Sequence, residues 1–235
     1  MSFFAYDPSF TGGVSVAAGD VNGDGHADII TGAGPGNAPH VRVFDGATGA
    51  QLPGNIGSFL AYPPTFAGGV FVAAGDVNGD GHADIITGAG PGGSPHVRIF
   101  DPVTGVQLPG AVGSFFAYDP TFTGGVFIAA GDVNGDGYAD IITGAGPGGG
   151  PHVKVFDGKT GALLMSFFAY DPSFTGGVSV AAGDVNGDGH AEIMTGAGPG
   201  GGPHVRVFDS TGAELQSFYA YDPSFTGGAF VAIGQ

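Results

Sequence analysis

The chain has 235 residues, of which 50 are Gly and 17 are Pro, and it contains no Cys and no Trp. This much Gly and Pro is typical of low-complexity chains, but 42% of the residues are hydrophobic and 20 are Phe, so the chain can bury a core. Its 21 acidic and 5 basic residues give a net charge of −16, which excludes nucleic acid as a partner and favours cations. The absence of Cys excludes disulfides and thiolate metal sites.

Two features argue against membrane insertion and against a cleavable leader in this chain. A spanning helix needs a run of about 18 or more apolar residues, and the sequence has none. The first residues, MSFFAYDPSF, lack the basic and apolar regions of a signal peptide. We therefore expect neither a membrane-spanning segment nor a signal peptide within these residues.

The first recognisable element, SFFAY at residues 2–6, returns four times along the chain. Its copies begin at residues 58, 114, 166 and 217, so successive copies are 56, 56, 52 and 51 residues apart. A period of this size is typical of the blades of a β-propeller.

Each repeat predicts four strands, which we call A, B, C and D. In the first repeat they are GVSVAAG at 13–19, ADIITGAG at 27–34, PHVRVFD at 39–45 and AQLPGNIGSFLAY at 50–62. Apolar alternation within these segments and turn residues between them indicate short strands joined by tight turns. No segment has a helical period with caps, so the predicted fold class is all-β.

The composition of the strands indicates where each lies in a blade. Strand A is rich in Gly and Ala, which suits inner strands crowded around an axis, whereas Phe and Tyr concentrate in strand D, where a blade widens. Two repeats carry an extra LPGNIG at 52–57 or LPGAVG at 108–113. We expect each insertion to form a bulge or loop in the outer strand.

The loop between strands A and B, GDVNGDGHAD at 19–28, has the spacing of a metal-binding loop. Its positions one, three, five, seven and nine are Asp20, Asn22, Asp24, His26 and Asp28. Calcium takes six to eight oxygen ligands, and alternating side chains, a backbone carbonyl at position seven and a bend at Gly25 supply them. An EF-hand would place Glu at position twelve between helices, but Thr31 stands there between strands. The sequence therefore predicts a calcium loop on a β framework.

The loop occurs in all four repeats. The same positions in the later copies are Asp76, Asn78, Asp80, His82 and Asp84; Asp132, Asn134, Asp136, Tyr138 and Asp140; and Asp184, Asn186, Asp188, His190 and Glu192. Position seven varies between His and Tyr, which suits a backbone contribution there. Glu192 is one methylene longer than Asp, so the fourth site is expected to be weaker or shifted. About four Ca²⁺ sites are predicted.

Electrostatics favours a metal over a solvated polar turn, which is the alternative reading of these loops. Two carboxylates about 5 Å apart repel by roughly 3 kcal/mol at an effective dielectric constant of about 20. The four loops hold three acids each, 12 of the 21 acidic residues, so four Ca²⁺ would change the net charge from −16 to −8. Magnesium is disfavoured because it retains more of its water.

The pattern GGVSVAAGDVNGDGHADIITGAGPG followed by PHVRVFD resembles the FG-GAP or VCBS-type repeat, the blade of integrin α-subunit heads and of bacterial extracellular propellers. In that family the inner strand leads into a D-x-N-x-D-G-x-x-D calcium loop, which corresponds to the four residue sets above. One departure is Gly-Ala-Gly-Pro at 32–35, where the family has Gly-Ala-Pro. The resemblance implies an extracellular or cell-surface location and a role in binding or adhesion rather than catalysis.

Strand C of each repeat opens with a His and carries a basic residue two positions later. The pairs are His40 and Arg42, His96 and Arg98, His152 and Lys154, and His204 and Arg206. A ring of four imidazoles would be a metal or anion site, but blades are too far apart for one ion to bridge. We expect each His to make a local hydrogen bond and each cation to pair with an acid such as Asp45 or Asp7.

No constellation for catalysis stands out, because every candidate residue occurs once per repeat. We therefore expect a protein that is not an enzyme. GAGPGG at 88–93 lacks the Lys of a phosphate-binding loop and a following helix, so it is expected to be a turn. Four Phe residues in the D-to-A connections are either sugar-stacking surfaces or core residues: Phe10, Phe66, Phe122 and Phe174.

In order, the strands are D, then ABCD four times, then A, so the chain starts and ends inside blades. The sequence predicts a β-propeller with complete blades at 13–62, 69–118, 125–170 and 177–221, and a partial blade of 1–6 with 227–235 shared by the two termini. Gln235 stands where the first Asp of another calcium loop would stand. The alternatives are a piece of a longer array and a filament in which chains lend end strands to one another.

The predicted function is that of a calcium-stabilised extracellular repeat protein with a structural or adhesive role, self-assembling through incomplete terminal blades. The alternative is a lectin-like, carbohydrate-binding propeller. The expected partners are other copies of the chain or flanking repeats, and glycans or cell-surface proteins.

Overall fold

The structure is a computed structural model that describes residues 2–233. Those residues form seventeen strands and no helix, which confirms the all-β prediction. The strands are β1 (Val14–Gly19), β2 (Asp28–Ala33), β3 (His40–Phe44), β4 (Ser58–Leu60), β5 (Val70–Gly75), β6 (Asp84–Ala89), β7 (His96–Asp101), β8 (Val106–Gln107), β9 (Ser114–Phe116), β10 (Val126–Gly131), β11 (Asp140–Ala145), β12 (His152–Phe156), β13 (Leu163–Phe168), β14 (Val178–Gly183), β15 (Glu192–Ala197), β16 (His204–Phe208) and β17 (Glu214–Tyr219). None of residues 2–233 belongs to a helix able to cross a membrane.

The strands form four antiparallel sheets, which confirms the four predicted blades. Blade 1 is β1–β2–β3–β4, blade 2 is β5–β6–β7 with β8 and β9 both paired to β7, blade 3 is β10 to β13, and blade 4 is β14 to β17. The insertion at 108–113 separates β8 from β9, and that at 52–57 separates β4 from a bridge between Gln51 and Phe44. In blade 3, which lacks the insertion, β13 is continuous. Both insertions therefore interrupt the outer strand, as predicted.

The inner strands β1, β5, β10 and β14 surround a central cavity of about 450 Å³, which residues Phe230 and Val231 also line. Small residues are required where neighbouring inner strands approach each other. A Cβ on Gly19 would lie 2.8 Å from the Cβ atoms of both Ala74 and Ala83, far inside van der Waals contact. This close approach explains the Gly- and Ala-rich strand A.

A tyrosine that follows the outer strand of blades 1, 2 and 3 forms hydrogen bonds to the next blade. The hydroxyl of Tyr62 donates to the carbonyl of His96 at 2.7 Å and lies 3.0 Å from the carbonyl of Thr87. In return, Nη1 of Arg98 donates to the carbonyl of Ala61 at 2.7 Å. The same contacts recur at the other two junctions through Tyr118 and Tyr170, and Tyr6 makes them between the N-terminal segment and blade 1. Neighbouring blades are thus held by buried hydrogen bonds as well as by apolar packing.

Removing the hydroxyl of this tyrosine is expected to destabilise the protein only where a following blade accepts its hydrogen bond. We expect Tyr62→Phe to lower the free energy of unfolding by about 1–3 kcal/mol, because the carbonyl of His96 loses the hydroxyl that donates to it. Tyr221 is the matched control, because it holds the same place in the repeat but is 67% exposed. Tyr221→Phe should change stability by less than about 0.5 kcal/mol. Urea unfolding of both variants measures the difference, and equal losses would contradict the locking role.

The N-terminal segment lies against blade 1 and the C-terminal segment lies against blade 4. Phe3 packs on Phe44 with ring centroids 4.8 Å apart, as Phe59 of strand β4 packs on Phe100 at 4.6 Å. At the other end, the N–H of Ala229 donates to the carbonyl of Ala197 at 2.8 Å. Residues 2–6 and 229–233 thus lie where strands D and A of another blade would lie, but neither forms a strand. The partial blade stays a prediction, and Met1, Gly234 and Gln235 lie outside the described residues.

Candidate metal centre

The acidic loop of blade 1 is shaped by hydrogen bonds from its own backbone. Asp20 Oδ1 accepts the N–H of Gly23 at 2.7 Å, and its Oδ2 accepts that of Gly25 at 2.8 Å. Asp24 Oδ1 accepts the N–H of His26 at 2.8 Å. Gly23 and Gly25 have φ angles of +76° and +85°, which residues with a Cβ rarely adopt. The glycines therefore allow the loop to curl around the oxygens of positions one and five.

The carboxylate at position nine is buried and ties the loop to the turn between strands C and D. Asp28 Oδ2 accepts the N–H groups of Val21 and Asn22 at 3.0 and 3.1 Å. Its Oδ1 accepts the N–H of Gly46 at 3.0 Å. Blade 3 repeats the arrangement with Asp140, Val133, Asn134 and Gly158.

Blade 2 lacks one of these donors. Pro102 follows Asp101 where Gly46 follows Asp45 in blade 1, and proline has no N–H. Oδ1 of Asp84 is consequently buried without a hydrogen-bond partner in the described structure, while its Oδ2 still accepts the N–H of Val77 at 3.0 Å. A buried carboxylate oxygen without a donor is costly, and a bound cation would satisfy it. This atom is the feature of the structure that best fits a metal ion.

Burial disfavours the ionised form of the position-nine carboxylates in blades 2 and 3. Burial, together with the neighbouring carboxylates of Asp80, Asp101 and Asp76, raises the pKa of Asp84 to about 7, although the Val77 hydrogen bond opposes the shift. Burial also raises the pKa of Asp140 to about 6, against three backbone hydrogen bonds that lower it. Positive charge placed at these loops would favour the ionised carboxylates.

The stability of the metal-free protein is expected to fall as the pH rises from about 4 to about 7 through the titration of Asp84. The folded pKa of about 7 lies above the ordinary value of 3.8, so between these values the folded state binds a proton that the unfolded state has released. Asp84→Asn removes this component. Urea unfolding in chelator should show a wild-type-minus-variant stability that decreases with pH, and a pH-independent difference would contradict the raised pKa.

In blade 4 the longer side chain of Glu192 accepts a hydrogen bond from the backbone N–H that corresponds to that of Val21 in blade 1. Oε2 of Glu192 accepts the N–H of Val185 at 2.8 Å, and its Oε1 accepts Nδ2 of Asn186 at 2.7 Å. Val185 is half exposed, whereas Val21 in the equivalent place is buried. The fourth loop is therefore more open than the others, and its lower affinity stays a prediction.

The side chain at position seven has a role that the sequence reasoning missed. The ring of His82 lies against Gly23 of the preceding loop, where a Cβ would be 2.3 Å from its Cε1, and its Nδ1 is 3.3 Å from the carbonyl of Val21. The N–H of Ala83 also donates to the carbonyl of Asp20 at 2.8 Å. Tyr138 and His190 lie against the preceding loops in the same way. The sequence signal for this contact was a glycine at position four of one loop together with a His or Tyr at position seven of the next loop.

The remaining ligand predictions are untested. Within residues 2–233, no three His, Asp or Glu side chains are gathered as an ion site; the loop oxygens instead accept the backbone hydrogen bonds described above. One further acid lies beside the first loop, because Asn22 Nδ2 donates to Asp45 Oδ2 at 3.2 Å. Hydrogen bonds from Thr48 lower the pKa of Asp45. Asp45 was considered from the sequence only as an ion-pair partner.

The other candidates have structural roles. His40 Nε2 lies 2.8 Å from Ser58 Oγ on the neighbouring strand β4, so its hydrogen bond crosses the sheet and does not cap a turn. Burial lowers the pKa of the imidazole. Arg42 donates to the carbonyl of Ala5 at 2.8 Å, so its pairing with Asp45 or Asp7 was wrong. Arg206 does pair with an acid, because its Nη1 lies 3.4 Å from Oε2 of Glu214. The equivalent His residues contact Ser in the same way: His96, His152 and His204.

The four Phe residues considered for sugar stacking fill gaps between the loops. Phe10 meets the ring of Tyr6 edge-on, with centroids 6.0 Å apart. A Cβ on Gly12 would lie 2.5 Å from Cζ of Phe10, so the ring covers that glycine. Phe66, Phe122 and Phe174 repeat these contacts. All four rings are half-buried, so the choice between sugar-stacking surfaces and core residues stays a prediction.

These features define a class of protein: a β-propeller of near-identical four-stranded repeats, each with an acidic loop between its two innermost strands. The FG-GAP-like repeat family matches residues 132–195, and the FG-GAP repeat family matches residues 12–50 and 68–105. The chain belongs to the FG-GAP repeat family, as the sequence pattern predicted.

Two curated relatives share this repeat. Integrin alpha pat-2 of Caenorhabditis briggsae is 30% identical over 225 residues, covering 82% of this chain and 18% of the relative. The protein of the same name from Caenorhabditis elegans is 32% identical over 152 residues, covering 57% of this chain and 12% of the relative. The chain thus spans less than a fifth of the length of either relative.

Solved structures with a similar fold include two rhamnogalacturonan lyases. YesW has a TM-score of 0.51 at 15% identity, covering 86% of this chain and 42% of that chain. The Bacillus licheniformis lyase PL11 has a TM-score of 0.51 at 17% identity, covering 86% of this chain and 41% of that chain. At these identities the likeness concerns the fold alone.

Proposed function

We propose that this FG-GAP propeller is a calcium-stabilised, non-catalytic extracellular module with a structural or adhesive role. The observation that carries the calcium assignment is the buried Oδ1 of Asp84, which lacks a hydrogen-bond partner within residues 2–233 and belongs to a loop spacing that recurs four times. The extracellular and adhesive parts rest on membership of the FG-GAP family and on the likeness to integrin alpha chains.

Calcium would be held by the side chains at positions one, three, five and nine and by the carbonyl at position seven. Its charge would offset the repulsion among three acids in each loop and stabilise the ionised form of the buried carboxylate. Because each of the first three loops contacts the loop of the next blade through pairs such as Asp20 and Ala83, order in one loop supports order in its neighbour. The role of the ion is therefore structural.

Calcium titration calorimetry tests this proposal directly. We expect about four ions per chain, and Asp84→Asn should remove or weaken one of them. Magnesium at the same concentration is the control, because it should bind these loops much more weakly. The absence of any calcium heat from the folded protein would overturn the proposal.

The adhesive role has two forms that imaging separates. If the chain assembles through its terminal segments, negative-stain electron microscopy in calcium should show regular fibres. If it acts as a separate binding module, the images should show isolated discs. Aggregates without order would support neither form.

One observation favours a glycan as the alternative ligand. The ring of Tyr219 stacks on His204 with centroids 4.7 Å apart and is half exposed beside Asp171. An exposed aromatic face next to a carboxylate is a surface on which a sugar can stack and hydrogen-bond. A glycan array with the wild type and Tyr219→Ala tests it, and binding that survives the substitution would exclude this cleft.

A further inference from the structure

We propose that Pro102 makes the acidic loop of blade 2 the tightest calcium site of this chain, so that it fills before the other loops. This inference rests on the calcium binding proposed above and adds an order of filling to it. It concerns two segments of one blade, the loop at 76–84 and the turn at 101–105. Blade 2 lies between blades 1 and 3, whose inner strands both contact β5.

The turn between strands C and D supplies a hydrogen-bond donor to the position-nine carboxylate in two blades. The turn is Asp-Gly-Ala-Thr-Gly at 45–49 in blade 1 and Asp-Gly-Lys-Thr-Gly at 157–161 in blade 3. The N–H of Gly46 donates to Oδ1 of Asp28, and that of Gly158 donates to Oδ1 of Asp140, both at 3.0 Å. With two N–H groups from its own loop, each carboxylate accepts three backbone hydrogen bonds. Both carboxylates are therefore well satisfied without an ion.

Only glycine can place its N–H at this point of the turn. A Cβ on Gly46 would lie 1.9 Å from the carbonyl oxygen of Ala27, and one on Gly158 would lie 2.0 Å from that of Ala139. The turn of blade 2 is Asp-Pro-Val-Thr-Gly, so Pro102 stands where the glycine stands in the other two blades. Proline has no N–H, and its ring carbons would clash in the glycine conformation. Blade 2 therefore loses this donor for two independent reasons.

The carboxylate of Asp84 consequently keeps more of its charge available to a cation. Asp84 is fully buried, and within residues 2–233 its Oδ1 has no hydrogen-bond partner while its Oδ2 accepts the N–H of Val77. A buried oxygen without a donor raises the free energy of the metal-free loop. A bound ion relieves this cost in blade 2, whereas Gly46 already relieves it in blade 1. In blade 4 both oxygens of Glu192 accept hydrogen bonds.

A second buried acid lies beside Asp84. Asp101 is one position beyond the pair formed by Ile85 of β6 and Phe100 of β7, so it lies across from Asp84 on the neighbouring strand. It is 7% exposed. The residues that hold its place in blades 1 and 3 are only partly buried: Asp45 and Asp157. Because water screens buried charges less, this pair of carboxylates should attract a divalent cation more strongly than the equivalent pairs do.

Calcium titration calorimetry of the full chain at about pH 8 tests the order of filling. Protons compete little at this pH, because the pKa of Asp84 is about 7. For the wild type we expect one ion to bind about tenfold or more tightly than the others. Pro102→Gly combined with Val103→Ala gives blade 2 the turn sequence of blade 1. This variant should bind the same number of ions, with the tight ion weakened to the affinity of the others.

The reciprocal exchange tests for a gain of affinity. Gly46→Pro combined with Ala47→Val gives blade 1 the turn sequence of blade 2 and should produce a second tight ion. Both turns already occur in this chain at equivalent places, so the exchanged variants are expected to fold. Circular dichroism verifies this.

A pair of single substitutions locates the tight ion without changing either turn. Asp84→Asn should abolish the tight phase of the titration, whereas Asp28→Asn, its matched control, should remove an ion from the weaker phase. Four ions of equal affinity, or a tight phase that survives Asp84→Asn or the exchange of the blade 2 turn, would overturn the order of filling and leave calcium binding in place. No calcium heat at all would overturn the proposed function as well.

Discussion

Chelation of calcium is expected to lower the melting temperature of this protein by about 10 °C or more. An ion present at about 100 times its dissociation constant stabilises a folded protein by about 2.7 kcal/mol per site. For a chain of this size, about 1 kcal/mol shifts the melting temperature by roughly 2–4 °C. One well-occupied loop thus accounts for several degrees, and four loops in contact with one another account for more.

Differential scanning calorimetry in about 10 mM calcium, a range that fills extracellular sites, and in excess chelator measures this shift. Magnesium in chelator-free buffer is the control, and it should restore little of the lost stability. Asp84→Asn gives a sharper result, because its effect differs between the two buffers. In calcium the substitution removes a ligand of the ion, whereas in chelator it removes a buried negative charge that nothing neutralises. The variant should be less stable than the wild type in calcium and equal or more stable in chelator at pH 8. A melting temperature that chelator leaves unchanged would contradict a structural role of calcium.

The same substitution is expected to have opposite consequences at two equivalent positions of the inner strands. Val72→Asp should lower the free energy of unfolding by about 3–5 kcal/mol, because it buries a carboxylate without a partner between β5 and β2. Val16→Asp should change it by less than about 0.5 kcal/mol, because β1 is uncovered. Both side chains occupy the third position of a strand A.

Urea unfolding of the two variants, in calcium, gives the comparison. The wild type and a conservative pair, Val72→Ala and Val16→Ala, serve as controls for the loss of the side chain without the added charge. Equal destabilisation by the two Asp substitutions would mean that β1 is covered in solution.

Much of this architecture could be predicted because it is local or periodic. The strand bounds follow from alternation and turn residues, and the four blades follow from the spacing of the SFFAY copies. The two interruptions of the outer strand follow from LPGNIG and LPGAVG, since Pro and Gly disrupt a ladder wherever they stand. The loop positions are also local, because Asp20 and Asp24 bond to backbone groups within five residues.

The contacts between blades could not be predicted in the same way. His82 was expected to contribute only its carbonyl, yet its ring lies on Gly23. Arg42 was expected to pair with an acid, yet it caps the carbonyl of Ala5. In each case the partner belongs to a neighbouring repeat and is chosen by the rotation from one blade to the next. The glycine at position four and the ring at position seven were a signal for the first of these contacts, but no local pattern in the sequence encodes the rotation that brings them together.

By itself, then, the sequence determined an all-β repeat chain, its strand order, its acidic loops and its family, because these depend on residue type and spacing. Only the tertiary structure decided that Asp84 has an oxygen without a donor, since that depends on Pro102 folding back beside it. The tertiary structure alone also decided that one inner strand in four is open. Val16 and Val72 have the same local sequence signals, and they differ because burial depends on which neighbour is present.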